Sequence, residues 1–207
     1  MSLDLWIGYA LACTVLLAVP GPTILLVVSY SLREGRSAAG WLTLGVVGGD
    51  LVAMTLSLAG MGLLLSASAV LFTVVKWLGA AYLIYLGVRM WRARPSSLPS
   101  QLPMPKGSGM RLMGHAFLVT VLNPKGITFF LAFFPQFLDH TSPLWPQLLV
   151  MGSTFLVLGC LNAAGYALLA GSAREALNRP GWQKVINRTG GTFLIGAGAF
   201  TATLQRG

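Results

Sequence analysis

Acidic residues are nearly absent from this chain, with five Asp and Glu in 207 positions and only 9% charged residues of any kind. Ordinary soluble domains carry about 25% charged residues, so a conventional water-facing surface is excluded. Cysteine is equally scarce. Cys13 and Cys160 each sit inside an apolar run, which argues against a disulfide framework or a zinc site. No Walker-type glycine loop occurs, so nothing supports ATP-driven transport by this chain alone. There is no Ser/His/Asp set and no His-rich metalloprotease motif, which leaves no basis for an intramembrane enzyme. What the chain has instead is apolar sequence, 55% of all residues. A bilayer core about 30 Å thick takes roughly 20 apolar residues per helix. Six such helices fit this length with short connections, as one membrane domain over 1–207.

The hydrophobic runs predict spans over 5–29, 39–65, 70–90, 112–138, 144–170 and 185–204. The start Met-Ser-Leu-Asp lacks the basic region of a cleaved signal peptide, so the first run is expected to remain as a helix. A Pro/Ser/Gly-rich stretch separates the third and fourth spans and predicts a flexible linker over 94–110. The net charge of +9 does not call for nucleic acid. Arg33, Arg36, Arg89, Arg92, Arg94, Lys106, Arg111, Arg174, Arg179, Lys184 and Arg188 all fall on one side, in or beside the connections. By the positive-inside rule that side is cytoplasmic, and both termini lie outside the cytoplasm. His115 and His140 then sit at opposite faces and cannot share a metal.

The chain also resembles itself. Residues 51–64 match 156–169 at seven of fourteen positions, and 74–88 match 185–199 at five of fifteen. Pro22 aligns with Pro124, so the offsets run 102, 105 and 111 in order. Repeat 1 is 1–93 and repeat 2 is 111–207. With three spans in each half, the second must enter from the opposite side, which is the inverted-repeat plan of secondary transporters. The expected fold is therefore all-α and integral to the membrane, six transmembrane helices in two inverted three-helix repeats.

Helices 1 and 4 are each broken, at Pro20-Gly21-Pro22 and at Asn123-Pro124-Lys125. Proline removes a donor and frees the carbonyl four residues earlier, and lipid offers no water to satisfy it. Paired breaks at corresponding depth point to a binding site. Their half-helix N-termini favour a carboxylate, and Asn123 can cap one or contact cargo. Asp50 is the one acid inside a span. A charge there costs at least about 2.5 to 3.5 kcal/mol, and a carboxylate that trades a proton for a cargo ammonium is a natural coupling device. The plainer reading is a permanent ion pair with Lys125 or Lys76. Lys125 is expected to receive a cargo carboxylate or to neutralise Asp50, whereas Lys76 lies shallow enough to snorkel. Phe129, Phe130, Phe133 and Phe134 read as packing or lipid-facing rather than as a ligand cage, and Asn162 as a satisfied polar bridge.

Three motifs in order resemble the LysE/RhtB family of bacterial amino-acid exporters: Pro20-Gly21-Pro22, the run from Val75 to Gly87 that opens Val-Lys76-Trp-Leu-Gly, and Asn123-Pro124-Lys125 followed by Phe133-Phe134-Pro135-Gln136-Phe137. The resemblance covers nearly the whole chain and is closest to the homoserine/threonine branch. It implies proton-linked efflux of amino acids across a bacterial inner membrane, no cofactor, and often a homodimer. A divalent-cation exporter is the alternative within the superfamily, but one intramembrane acid is few for a hard cation that takes about six oxygen ligands or more. A non-transporting scaffold is the other alternative, and it needs neither that acid nor the paired breaks.

Overall fold

Prolines and glycines decide where the helices begin and end. The computed structural model describes residues 1–67, 69–93, 108–139, 141–172 and 179–203. Helix α1 (Leu3–Ala18) is capped by Ser2, whose Oγ accepts the Leu5 N–H at 3.3 Å, and it stops at Val19, extended ahead of Pro20. Helix α2 (Pro22–Glu34) opens with proline at its first position, where the missing N–H costs nothing. It closes at Gly35, whose φ of 77° is left-handed and whose N–H reaches Ser31 O. Then come α3 (Ala38–Ala67), α4 (Ala69–Arg92) and α5 (Gly109–Val121). Helix α6 (Pro124–Thr128) runs into a π-helical turn over Phe129–Phe133 and a 3-10 turn over Phe134–Phe137. Helices α7 (Leu144–Leu168) and α8 (Pro180–Thr203) complete the bundle. No strand occurs among the described residues.

Of the predicted linker 94–110, residues 94–107 lie outside the described residues, and Gly109 and Met110 already belong to α5. His140 and the side chain of Lys76 are also outside them. The last helix starts at Pro180, not Val185. Its first turns carry Gln183, Lys184, Asn187 and Arg188, which hide a helix from a hydropathy reading.

Among the described residues, two helices are long and apolar enough to cross a membrane, α3 over Ala38–Gly60 and α7. Counting each bent pair as one span makes four: α1 with α2, bent by 54°, and α5 with the Pro124–Phe137 segment, bent by 43°. Large apolar side chains such as Leu44, Leu56, Leu78, Leu118 and Leu149 face outward. An aqueous surface would not tolerate that many, while lipid favours it.

Helix α3 packs mainly on α5 and α7, and α4 on α8. The α4–α8 contact is built on small residues and is reciprocal. A Cβ on Gly87 would meet Gly191 O at 2.6 Å and Ile195 Cγ1 at 2.7 Å. A Cβ on Gly198 would meet Ala80 O at 2.7 Å and Ile84 Cγ1 at 2.7 Å. These are the same contacts with the two halves exchanged at the offset of 111. Backbones this close have no room for a methyl group. Gly87→Ala and Gly198→Ala should each destabilise the protein by about 1 to 3 kcal/mol through overpacking. Gly196→Ala, with nothing within 4 Å of the added carbon, should not. Thermal unfolding of the three variants in detergent checks this, and equal midpoints would contradict the close contact.

Candidate functional site

Each proline that breaks helix 1 deprives one carbonyl of its partner: Pro20 that of Leu16, and Pro22 that of Ala18. Neither carbonyl is left bare. Lys125 Nζ donates to Leu16 O at 2.6 Å and to Val19 O at 2.6 Å, and Tyr166 Oη donates to Ala18 O at 3.0 Å. A cation at the C-terminal end of α1 also suits the partial negative charge there. The sequence reading had Lys125 receive a cargo carboxylate or neutralise Asp50. The structure gives it a different set of partners, with two of its three donors on the carbonyls of the broken helix.

The second break is repaired locally. Pro124 deprives Thr120 O, which accepts instead from the Asn123 N–H at 3.1 Å. Asn123 also caps α6, its Oδ1 accepting the Lys125 N–H at 3.1 Å. Its amide nitrogen donates to Thr23 Oγ1 at 3.2 Å, so the two breaks are tied to each other. Thr23, just past Pro22, was not singled out by sequence. Its only signal is a hydroxyl beside a helix break.

The two half-helix N-termini therefore differ. That of α6 is occupied by its own cap. That of α2 has no side-chain cap, and the first backbone bond into it runs from Leu25 N–H to Gly21 O at 3.0 Å. The N–H groups of Thr23 and Ile24 precede that bond, at the positive end of the helix dipole.

Gly21, Thr23, Ile24, Asp50, Asn123 and Lys125 line one cavity of about 50 Å³, with Val46 and the α7 residues Phe155, Gly159 and Asn162. Four of the predicted site residues thus meet, Gly21, Asp50, Asn123 and Lys125, while Pro20, Pro22 and Pro124 shape the breaks without lining the cavity. Asp50 is buried, with 9% of its surface exposed. It shares the cavity with Lys125 but is not ion-paired with it, and it makes no hydrogen bond to a described residue. A Cβ on Gly159 would come within 3.2 Å of Asp50 Oδ2. Asn162 corrects the sequence reading: its amide bridges nothing among the described residues and faces the cavity unpartnered.

Two apolar clusters flank the cavity. Toward α1 and the π-turn lies an aromatic plug of Tyr9, Phe129, Phe130, Phe134 and Phe155. Phe130 and Phe155 meet edge to face at 4.8 Å, Phe129 and Phe155 stack at 5.6 Å, and Tyr9 Oη donates to Met151 O. The phenylalanines pack, as their sequence predicts. Toward α2 and α5 lies an aliphatic cluster with Leu26, Val27, Leu42 and Leu112. Beyond it Tyr30 Oη and His115 Nδ1 share a hydrogen bond of 2.8 Å. Small-molecule pockets begin at about 300 Å³, so this cavity is smaller than a usual ligand site. A wider cleft of about 510 Å³ lies at one end of the bundle, between Met1 and Val150. Its lining is largely apolar, and the one amide there, that of Gln147, is held by Asp139 and Pro143. The carboxylate of that connecting Asp139 accepts from the Thr141 and Ser142 hydroxyls, which hold it down to about 2.

Comparison with known proteins now adds to this geometry. The family described as LysE type translocator matches residues 14–205. The homoserine/homoserine lactone efflux protein of Salmonella typhi is 33% identical over 205 residues, 99% of this chain and 99% of that protein. The leucine efflux protein of Salmonella choleraesuis is 30% identical over 208 residues, 98% of this chain and 96% of that protein. A membrane protein of Vibrio cholerae without an assigned function is 33% identical over 205 residues, with 99% and 100% covered. No solved structure matches the chain.

Proposed function

This chain belongs to the LysE type translocator family, whose members are transporters and not enzymes, and from that premise we propose that it exports small neutral amino acids, homoserine- or threonine-like, in exchange for protons. The names of its relatives support an amino-acid cargo. The observation that carries the reading is the pairing of two unmatched charges in one cavity. Asp50 is a carboxylate with no hydrogen bond or close ion pair among the described residues, attracted only by Lys125 across the cavity, and the α2 N-terminus is a positive helix end without a side-chain cap. An amino-acid zwitterion brings the complement of both: its ammonium suits Asp50 and its carboxylate suits the Thr23 and Ile24 N–H groups. Lys125, held on α1, keeps a third donor for the cargo carboxylate and adds positive charge to that end of the site.

Coupling follows from Asp50. On the cytoplasmic side it gives up a proton as it takes the cargo ammonium. On the outer side it releases cargo, accepts a proton and returns neutral. Each cycle moves one amino acid out and one proton in, and the empty site never crosses with a bare carboxylate, which would be costly in lipid.

The membrane arrangement belongs to the same proposal. Helices α4 and α8 supply the third span of each half, giving six spans in two inverted repeats. The reciprocal Gly87–Gly191 and Gly198–Ala80 approaches support that symmetry. Arg33 lies in the last turn of α2, Arg36 in the turn that follows it, and Arg89 and Arg92 in the last turn of α4, a distribution that supports a cytoplasmic placement of those ends and extracytoplasmic termini. The bacterial sources of the relatives support an inner-membrane location.

Proteoliposomes loaded with a mixture of labelled amino acids test this directly. With an acid exterior, small neutral amino acids should leave selectively, and more slowly when the gradient is abolished. Folded protein that releases none of them would overturn the proposal.

A further inference from the structure

Five polar side chains line the cavity: Thr23, Asp50, Asn123, Lys125 and Asn162. Three of them are committed. Thr23 accepts from Asn123, Asn123 also caps α6, and Lys125 holds the end of α1. Asp50 has its role in the export reading. Asn162 remains, with two donors and an acceptor oxygen and no described partner. The residue is part-exposed in the cavity lining, so its amide is open to a ligand group.

Gly159 shows where that group comes from. It precedes Asn162 by three residues on α7, so the two share a face and differ by about 4.5 Å along the axis. The space beside Asp50 Oδ2 exists because position 159 has no side chain, since a Cβ there would stand 3.2 Å from that oxygen. A cargo whose ammonium enters this space lies against α7, and its own side chain extends one turn along the helix to Asn162. The rest of that wall is apolar, with Ile24, Val46 and Phe155.

We propose that the Gly159–Asn162 face of α7 sets cargo selectivity: Gly159 admits the ammonium to Asp50, and Asn162 hydrogen-bonds a hydroxyl on the β or γ carbon of the cargo. The inference rests on the export reading and deepens it, for it selects hydroxyl-bearing over purely aliphatic neutral amino acids. A site that hydrogen-bonds a cargo hydroxyl discriminates strongly against the analogue lacking it, because the amide is then left unpaired. An apolar wall distinguishes a methylene by only about 10- to 200-fold.

The test is efflux of matched pairs from proteoliposomes, homoserine against norvaline and threonine against valine, with the full-length protein. Wild type should favour the hydroxylated member of each pair. Asn162→Leu should lower that preference by about tenfold or more, with aliphatic flux retained. Asn162→Ala, which removes the amide without adding bulk, should shift the ratio in the same direction and serves if the leucine variant does not fold. Gly159→Ala should slow all four cargoes alike and leave the ratios unchanged. Unchanged ratios in folded, active Asn162 variants, or full flux in Gly159→Ala, would overturn the inference and leave the export reading standing. Wild-type protein that moves none of the four would overturn the export reading itself.

Discussion

Asp50→Asn should abolish proton-driven efflux while leaving the protein at least as stable as wild type. The substitution keeps shape and volume, so the cavity and the contact with Gly159 persist. What disappears is the charge that the cargo ammonium meets and the proton the carboxylate returns with. Removing one partner of a buried charge pair costs about 3 to 5 kcal/mol, and about 1.4 kcal/mol is tenfold, so efflux should fall by roughly 100-fold or more. Stability should move the other way. Asp50 makes no hydrogen bond or close ion pair with a described residue and has only the longer-range attraction of Lys125, and a poorly paired carboxylate inside a membrane costs at least about 2.5 to 3.5 kcal/mol. A neutral amide relieves part of that. Efflux assays and thermal unfolding of the same preparation separate the roles. A purely structural Asp50 would lower the unfolding midpoint when replaced, and one idle in coupling would leave gradient-driven flux intact.

Lys125→Met should lose both activity and stability, the opposite pattern. Its ammonium satisfies Leu16 O and Val19 O at the first break, and methionine offers neither carbonyl a donor. Each buried carbonyl left unpaired costs about 1 to 3 kcal/mol, or about 2 to 6 kcal/mol together. Efflux should drop to background, because the end of α1 that walls the cavity is no longer held. A second substitution identifies the cause. Pro20→Ala restores the N–H that a continuous helix would offer to Leu16 O, so in the Lys125→Met background it should recover part of the lost stability. In the wild-type background it has no unmet carbonyl to relieve. Additive effects of the two changes would mean that Lys125 does not act through the broken helix.

The breaks were legible because proline acts on a fixed neighbour: the carbonyls it frees can be counted from the sequence alone. Which group then serves each carbonyl was not, since Lys125 lies 109 positions from Leu16 and reaches it only because α6, packed on α3 and α4, brings it to the end of α1. A lysine at that depth looks the same in sequence whether it waits for cargo or holds a helix end. Asn123 was readable as a cap, from its place directly before Pro124. Asn162 was misread because most intramembrane amides find a partner, and only the cavity shows that this one has none. Gly159 carried no signal, as one glycine among several in α7, and gains meaning solely from the oxygen of Asp50 beside it. The π-turn over Phe129–Phe133 was likewise hidden, for an aromatic run reads as helix whichever carbonyl each N–H selects.

Exchange at Asp50 is tested most directly by proton movement that accompanies cargo. Vesicles containing the protein are loaded with homoserine and a pH-sensitive dye, with no imposed pH gradient and with potassium and valinomycin to clamp the voltage. As homoserine leaves, the lumen should acidify in step with the efflux, and neither change should occur with Asp50→Asn. Homoserine that leaves through the wild-type protein while the lumenal pH stays constant would contradict proton exchange, and with it the role assigned to Asp50.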